Sequence, residues 1–296
     1  MKIMLIANPV AGGRARCKID RVVTSLQARG AAVKLVLTGA RGDARKAAAD
    51  ARDAGFDRIV AAGGDGTLNE VINGLTPSDT PLAFIPLGTT NVFALETGIP
   101  LDLEKACALV MDGEPRRVCL GQSDGEHFLL MAGIGFDAEV VRRVNLRLKR
   151  YVGKLAYLIS GLASLLRYRP RPLEVTTETG MRRQAYGVIV SNCRLYGGRF
   201  VVSPGASLYA DALHVCLLRS DSRLGMLRTV SKIAAGHPLL AEEVVQLKAR
   251  EITVRGDRAP VQVDGDYLGE LPRVFRARFG DLQMVLPVNE DAAHEC

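Results

Sequence analysis

The sequence predicts an α/β protein in two parts, an N-terminal doubly wound parallel sheet and a C-terminal antiparallel β-sandwich. Over residues 1–120, short apolar runs alternate with amphipathic helical segments, which is typical of a parallel sheet with right-handed crossovers. From about Arg116 the pattern changes to short β-branched runs separated by turns, which is typical of a sandwich. We therefore expect an α/β domain over residues 1–120, a β-rich domain over 121–288 and a frayed tail over 289–296.

In the first part, each predicted strand is followed by a predicted helix. Glycine ends the first two helices, at Gly30 and Gly55, because it adopts the left-handed conformation that closes a helix. The predicted strands are Lys2–Ala7, Val33–Thr38, Arg58–Ala62 and Pro81–Ile85, and the predicted helices are Arg16–Arg29, Asp43–Ala54, Thr67–Leu75, Val92–Thr97 and Leu103–Met111.

The second part is predicted to contain nine strands and two helices. The helices lie near Ala138–Leu166, with a break at Gly153, and near Arg223–Ala235. The strands are Val118–Gly121, His127–Met131, Leu173–Glu178, Ala185–Asn192, Leu213–Arg219, Val244–Val254, Val261–Val263, Val274–Phe279 and Leu282–Leu286.

The cysteine pattern and the lengths of the apolar runs argue against several classes of protein. The six cysteines form no C-x-x-C pair, which argues against a zinc site or a disulfide framework and favours reduced thiols in the cytoplasm. The N-terminus reads as a first strand and not as a signal peptide. No run reaches the roughly 18 apolar residues that a membrane-spanning helix needs.

The net charge of +7 is concentrated in the second part of the chain. Residues 1–125 carry 15 basic and 14 acidic side chains, whereas residues 126–296 carry 24 and 18. This asymmetry indicates either an anionic partner, membrane or nucleic acid, or only a charge that aids solubility. Nucleic acid is disfavoured, because no recognised binding motif occurs and the chain contains 5% aromatic residues and no tryptophan.

The most specific motif is the glycine-rich turn Gly63-Gly64-Asp65-Gly66-Thr67, which follows a predicted strand and precedes a predicted helix. Its glycines permit close approach of a ligand, and the N-terminus of the following helix favours phosphate. A carboxylate at Asp65 would repel a bare phosphate, so a metal ion or a ribose hydroxyl is its more natural partner. The turn matches neither the P-loop nor the G-x-G-x-x-G pattern. We interpret it as part of a nucleotide site that includes a metal.

Two further loops leave strand ends in the same way. Asn8-Pro9-Val10-Ala11-Gly12-Gly13 is either an adenine or phosphate contact or an ordinary strand–helix loop, and Pro86-Leu87-Gly88-Thr89-Thr90-Asn91 offers hydroxyls and an amide to a phosphate or ribose. Because the carboxyl ends of parallel strands meet at one edge of the sheet, where such folds bind ligands, we expect all three loops to lie together.

These three loops, in this order and spacing, resemble the catalytic domain of the diacylglycerol kinase-type lipid kinases, which include the bacterial soluble lipid kinases and the sphingosine kinases. The second part resembles the family as well, over the segments Ala132–Ala138, Ser203–Ala206, Asp211–Leu213 and Val263–Asp266. The resemblance covers about residues 2–287. The glycine–aspartate turn is shared with NAD kinases, so it does not distinguish the two groups.

The resemblance implies a role for each matching residue. The residues that would contact ATP are Asn8, Pro9, Val10, Ala11, Gly12, Thr38, Gly64, Asp65, Gly66, Thr67, Leu68, Asn69, Glu70 and Thr89. Asp65 would also lie near the metal and the phosphates. The backbone carbonyls of Leu208 and Leu213 and the carboxylate of Asp211 would hold a structural Mg²⁺. The segment Asp264-Gly265-Asp266 would supply the catalytic base, with Asp264 and Asp266 as the candidates.

The two aspartates also have an interpretation that needs no family. If the segment is extended, Asp264 and Asp266 point the same way, and two close carboxylates perturb each other's pKa, which suits a base. The alternative is a tight β-hairpin turn, because Asp-Gly is a strong hairpin signal.

The chain departs from the family pattern at several positions. Val92 and Cys119 stand where carboxylates are common, Asp266 stands for the expected glutamate, and Ala212 stands for a glycine. The loss of two carboxylates indicates that the arrangement of the metal or of the acceptor headgroup differs from that of the relatives.

Residues 140–173 form a basic and partly apolar stretch without any acidic residue. Its cations are Arg142, Arg143, Arg147, Lys149, Arg150, Lys154, Arg167, Arg169 and Arg171. A basic, apolar helix can lie in the interface of an anionic membrane. The alternative is a helix that packs on the sandwich and has solvated ends.

Together these observations predict an ATP- and Mg²⁺-dependent kinase that phosphorylates a hydroxyl of a membrane lipid, either diacylglycerol-like or sphingoid-like. We expect a cytoplasmic protein that associates peripherally with an anionic membrane and does not bind nucleic acid, with a homodimer left open. The alternatives are an NAD kinase-like enzyme that phosphorylates a soluble metabolite, and a catalytically impaired module that binds a nucleotide or a lipid.

Overall fold

The structure is a computed structural model that describes residues 1–143, 168–237 and 239–288. The described helices are α1 (Ala15–Ala28), α2 (Asp43–Ala51), α3 (Asp65–Leu75), α4 (Val92–Thr97), α5 (Leu103–Asp112), α6 (Phe136–Arg143) and α7 (Arg223–Ala234). The described strands are β1 (Lys2–Ala7), β2 (Ala32–Leu37), β3 (Arg58–Gly63), β4 (Ser78–Pro86), β5 (Pro115–Ser123), β6 (Glu126–Phe128), β7 (Met131–Ile134), β8 (Leu173–Thr177), β9 (Arg182–Ala185), β10 (Gly187–Ser191), β11 (Leu195–Tyr196), β12 (Phe200–Val201), β13 (Leu213–Leu218), β14 (Val244–Ala249), β15 (Glu251–Arg255), β16 (Pro260–Val263), β17 (Asp266–Glu270) and β18 (Arg273–Val285).

The chain divides into two compact units. The first contains Met1–Leu120, Gly197–Arg199 and the chain from Arg278 onward, and the second contains Gly121–Tyr196 and Phe200–Ala277. The C-terminal part differs from the expected division, because β18 leaves the second unit and its last residues pair with β4 in the first.

The first unit is built on a parallel sheet in the order β2-β1-β3-β4-β18. One face of this sheet packs on α1 and α5, with Leu5, Val60 and Ala83 in the shared core. The side chains that alternate to the other face, such as Ile6, are buried as well, and α2 and α3 pack together on that side. Helices on both faces confirm the predicted doubly wound domain.

The second unit contains two antiparallel sheets. One has the order β14-β13-β10-β7-β16-β17, and the other is formed by the first part of β18 with β15, β8 and β9. Their inner faces share one core, to which Val190 and Val215 contribute from the first sheet and Ile252 and Phe275 from the second. This is the sandwich that the sequence predicts.

Several elements of the second unit differ from the prediction. The run Val244–Val254 is two strands, β14 and β15, which belong to different sheets and are separated only by Arg250. The two runs predicted over 274–286 are the single strand β18. Strands β9 and β17 are absent from the prediction because most of their side chains are at least partly exposed, so they show no apolar alternation.

The described residues contain the first turns of the helix predicted near Ala138–Leu166, as α6. Residues 144–167, which hold most of the basic stretch, and the tail predicted over 289–296 lie outside the described residues. In the part of the chain that the structure describes, no helix is both long and apolar enough to cross a bilayer.

Candidate functional site

The three glycine-containing loops of the first unit lie together at the carboxyl edge of its sheet. The backbone N–H of Asn8, in the first loop, donates to the carbonyl of Ala62 at 2.9 Å. The N–H groups of Leu87 and Gly88, in the third loop, both donate to the carbonyl of Gly63, at 2.7 and 3.1 Å. The parallel order of β1, β3 and β4 therefore joins loops that are far apart in the sequence.

Side chains of the first loop add to this connection. The Asn8 amide donates to the Thr67 hydroxyl at 3.3 Å and accepts the N–H of Val10 at 3.0 Å. Thr38 is buried beside them, with its N–H donating to the carbonyl of Ala7 at 2.9 Å. Asn8, Thr38 and Thr67, which are all predicted ATP contacts, thus share one region, and the Val10 side chain is exposed there.

Helix α3 begins at Asp65, two residues earlier than the periodicity predicts. Gly64 is the N-cap, and its carbonyl accepts the N–H groups of Thr67 and Leu68 at 3.0 and 3.1 Å. Because glycine has no side chain to cap the remaining N–H groups of the first turn, they can serve a phosphate. The Leu68 side chain is buried in the core, so only its backbone can contribute to a site.

Two other predicted contacts on α3 have local partners. The Glu70 carboxylate accepts the N–H of Gly42, the N-cap residue of α2, at 3.0 Å, and so connects the middle of α3 to the start of α2. The Asn73 amide donates to the Asn69 side chain at 3.1 Å. The first contact joins two neighbouring helices, and the second lies within α3.

The Asp65 carboxylate holds the third loop. One oxygen accepts the N–H of Val92 and the other accepts the N–H of Phe93, both at 3.0 Å, at the start of α4. Burial raises the pKa of Asp65, and hydrogen bonds from the backbone N–H groups of Phe93, Val92 and Asp65 itself oppose this rise. Val92 therefore interacts with Asp65 through its backbone N–H.

Asn91, the last residue of the third loop, is not among the ATP contacts that the family resemblance implies. It is buried, adopts a left-handed conformation with φ 46°, and donates from its amide to the carbonyl of Gly88 at 2.9 Å. Its side-chain oxygen is buried without a hydrogen-bond partner among the described residues. A buried acceptor of this kind is satisfied when a ligand supplies a donor such as an amino group or a hydroxyl.

Gly88 allows the second and third loops to touch. A Cβ at this position would lie 2.7 Å from the Cα of Gly64 and 2.7 Å from the Asn91 oxygen. We predict that Gly88→Ala separates the two loops and weakens ATP binding about tenfold, at an overpacking cost of about 1–3 kcal/mol. Isothermal titration with ATP measures the first effect and thermal unfolding measures the second.

Gly39→Ala is the matched control for this prediction. Gly39 follows β2 at the same sheet edge and lies outside the three loops, and a Cβ there would meet only an Asp43 carboxylate oxygen at 3.5 Å, an ordinary contact distance. We expect this variant to bind ATP like the wild-type protein. Equal affinities of the Gly88→Ala variant and the wild type would contradict the assigned role of the loop contact.

In the second unit, Asp264 and Gly265 form a tight hairpin turn between β16 and β17. Both have positive φ, 46° and 86°, and the flanking residues Val263 and Asp266 pair with each other. This is a two-residue turn of type I′. The expectation of an extended segment with both carboxylates on one side is therefore wrong, and the alternative hairpin interpretation is correct.

The Asp264 carboxylate is held by three backbone amides. One oxygen accepts the N–H of Leu129 at 2.7 Å, and the other accepts those of Leu130 and Met131 at 2.9 Å each. The N–H of Asp264 donates in turn to the carbonyl of Met131 at 2.9 Å. Asp264 thus anchors the turn to the start of β7 and the two residues before it, whereas Asp266 is the first residue of β17 and is partly exposed.

The predicted Mg²⁺ ligand Asp211 has a cationic partner from the protein itself. Its carboxylate lies 2.7 Å from the guanidinium of Arg250, which also donates to the Asp211 carbonyl at 3.2 Å. The Arg250 guanidinium thus contacts one Asp211 carboxylate oxygen at the protein surface, and the structural Mg²⁺ site at Leu208, Asp211 and Leu213 stays a prediction. Among the described residues, no group of three His, Cys, Asp or Glu side chains could hold a metal ion.

Known proteins resemble this chain over nearly its whole length. Residues 2–123 match the model of the diacylglycerol kinase catalytic domain, and residues 131–286 match the YegS C-terminal NAD kinase beta sandwich-like domain. A diacylglycerol kinase of Bacillus subtilis (strain 168) is 32% identical over 289 residues, which are 96% of this chain and 95% of that protein.

Two further comparisons agree with this match. A diacylglycerol kinase of Mycobacterium tuberculosis (strain H37Rv) is 32% identical over 97% of this chain and 95% of that protein. A crystal structure of a candidate diacylglycerol kinase from Bacillus anthracis (strain Sterne) superimposes with a TM-score of 0.82 at 26% identity, over 97% of this chain and 95% of the other.

Proposed function

Because this chain belongs to the diacylglycerol kinase family and is therefore a lipid kinase, we propose that it transfers the γ-phosphoryl group of ATP to a hydroxyl group of a membrane lipid. ATP would enter as its Mg²⁺ complex, so this metal belongs to the substrate. The observation that carries the proposal is the joined loop edge of the first unit, where the start of α3 lies beside the Asn91 side-chain oxygen, which is buried and has no partner among the residues that the structure describes.

Phosphoryl transfer depends mainly on positioning and charge neutralisation, and in this proposal each part of the loop edge has a role in it. The N–H groups at the start of α3 would hold phosphate oxygens, and the Asn91 oxygen would accept a hydrogen bond from the nucleoside. Asp65 would lie near the phosphates and the Mg²⁺ bound with them, and its contacts to Val92 and Phe93 would keep the third loop in place.

We assign the acceptor side of the reaction to the second unit. A carboxylate must take the proton from the lipid hydroxyl as the phosphoryl group is transferred. Three backbone amides hold the oxygens of Asp264, and Asp266 follows the turn as a partly exposed residue of β17, so we propose Asp266 as the base and Asp264 as its anchor. A diacylglycerol-like and a sphingoid-like acceptor both carry a suitable hydroxyl.

The test is a transfer assay with γ-labelled ATP and phosphatidylglycerol vesicles that contain either a diacylglycerol or a sphingoid base, with NAD offered in parallel. We expect the label to enter the lipid fraction. Label found only in a water-soluble product would favour the NAD kinase-like alternative. ATP binding without transfer to any acceptor would favour the impaired module that the departures at Val92, Cys119 and Asp266 allow.

Peripheral association with an anionic membrane is part of the proposal, and it depends on the basic stretch over residues 140–173. We predict that reversing the charges of Arg147, Lys149 and Arg150 weakens co-sedimentation with phosphatidylglycerol vesicles, because each cation near such a surface contributes about 1 kcal/mol. The difference from the wild type should shrink as salt is added. Phosphatidylcholine vesicles are the control, and unchanged binding to the anionic vesicles would contradict the assignment.

A further inference from the structure

In the second unit, a chain of hydrogen bonds links Asp137 to the Asp264–Gly265 turn. Asp137, in the first turn of α6, accepts hydrogen bonds on both oxygens: from the Tyr196 hydroxyl and, at 2.7 Å, from the amide nitrogen of Gln262. The other end of the Gln262 amide accepts the N–H of Gly265 at 2.7 Å. Gln262 is 2% exposed, so this chain of hydrogen bonds is shielded from water at its centre.

The donors and acceptors of these hydrogen bonds can be assigned in only one way. The N–H of Gly265 is always a donor, so the Gln262 oxygen must face it and the Gln262 nitrogen must face Asp137. Asp137 must therefore accept from Gln262, which its carboxylate does. Burial raises the pKa of Asp137, and the hydrogen bonds from Tyr196 and Gln262 oppose the rise, so the contacts help to keep this carboxylate ionised.

A glycine on the neighbouring strand β7 leaves space for the contact between Asp137 and Gln262. Gly133 on β7 pairs with Gln262 on β16, and a Cβ at Gly133 would lie 1.8 Å from the nearer Asp137 oxygen and 2.7 Å from the Gln262 nitrogen. Only glycine leaves room for the carboxylate to reach across β7 to the next strand.

The turn is thus held from two sides. Asp264, its first central residue, is anchored to residues 129–131, and Gly265, its second, is anchored through Gln262 to α6. Asp266 follows directly. With both central residues held, these contacts fix the backbone from which the Asp266 side chain extends.

We infer that Asp137 is a positioning residue for the phosphoryl acceptor: acting through Gln262, it sets the conformation of the Asp264–Gly265 turn and so the position of the Asp266 carboxylate. This inference rests on the proposed function, since it concerns the base of that reaction. It does not rest on the nucleotide site of the first unit.

The test exchanges the hydrogen-bond donor and acceptor between Asp137 and Gln262. Gln262→Glu places a second carboxylate against Asp137, and we expect kcat to fall about 10- to 100-fold, as a misplacement on the scale of 1 Å can cause. The KM for ATP should stay unchanged, because Gln262 is not part of the nucleotide site. In the double variant Asp137→Asn/Gln262→Glu, the asparagine amide can donate to the new carboxylate, which still accepts from Gly265, so kcat should recover. Wild-type kcat in Gln262→Glu, or no recovery in the double variant, would overturn the inference.

A second variant distinguishes positioning from general stability and serves if Gln262→Glu does not fold. Gln262→Met removes both hydrogen bonds at nearly constant volume and should lower kcat in the wild-type background but not further in an Asp266→Asn background. Equal losses in both backgrounds would overturn the inference.

The rate of amide hydrogen exchange at Gly265 reports on its hydrogen bond to Gln262 independently of enzyme activity. Exchange should be faster in Gln262→Met and return to the wild-type rate in the Asp137→Asn/Gln262→Glu variant. Unchanged exchange in Gln262→Met would refute the link itself. Absence of label transfer in the wild type would instead refute the proposed function, so the two failures are distinguishable.

Discussion

Asp65→Ala is expected to lower kcat about 100- to 1000-fold, the range for the loss of one preorganised electrostatic group. The substitution removes a carboxylate from the centre of the glycine turn and also removes the acceptor of the Val92 and Phe93 N–H groups. Both effects act where the phosphates would bind. Steady-state transfer of label to lipid measures kcat, and circular dichroism should show that the variant is folded.

A matched control separates catalysis from helix capping. Asp102 is also a carboxylate that caps a helix of the first unit, where it accepts the N–H of Lys105 at 3.0 Å at the start of α5. Asp102→Ala should cost about 1 kcal/mol of stability, as a lost N-cap does, and leave kcat unchanged. If the Asp65→Ala variant had the kcat of the wild type, the role of Asp65 at the phosphates would be refuted. If both variants lost activity equally, capping alone would explain the effect.

Asp264 and Asp266 should respond in opposite ways to substitution. Asp264→Ala leaves the N–H groups of residues 129–131 without their acceptor, and each unsatisfied buried donor costs about 1–3 kcal/mol. We therefore expect the free energy of unfolding to fall by about 3 kcal/mol or more. Urea denaturation followed by fluorescence or circular dichroism measures this loss.

For Asp266→Asn we expect little change in stability and a fall in kcat of about 100-fold or more, because general base catalysis contributes 10²–10⁴. The pair of variants is informative because inactivity of the Asp264 variant alone would not identify a base. An Asp266→Asn variant with wild-type kcat, together with a stable but inactive Asp264→Ala variant, would reverse the two assignments.

The positions of the loops could be predicted from the sequence because they depend on local pattern and on one general rule. Apolar runs show where β1, β3 and β4 lie, and parallel strands place their carboxyl ends at one edge. Strands that switch between sheets follow no such rule. The run from Val244 to Val254 has one continuous pattern, yet it pairs with β13 before Arg250 and with β8 and β18 after it.

By itself, the sequence determined the two-part fold, the glycine turn around Asp65 and its place beside the loops at Asn8 and Gly88, because glycine content and apolar periodicity act over short stretches. Only the tertiary structure decided which carboxylates are already occupied. Asp264 meets amides 133 to 135 residues away, and Asp137 reaches Gln262 over 125 residues. No local pattern encodes such contacts, because they depend on how the strands of the sandwich pair.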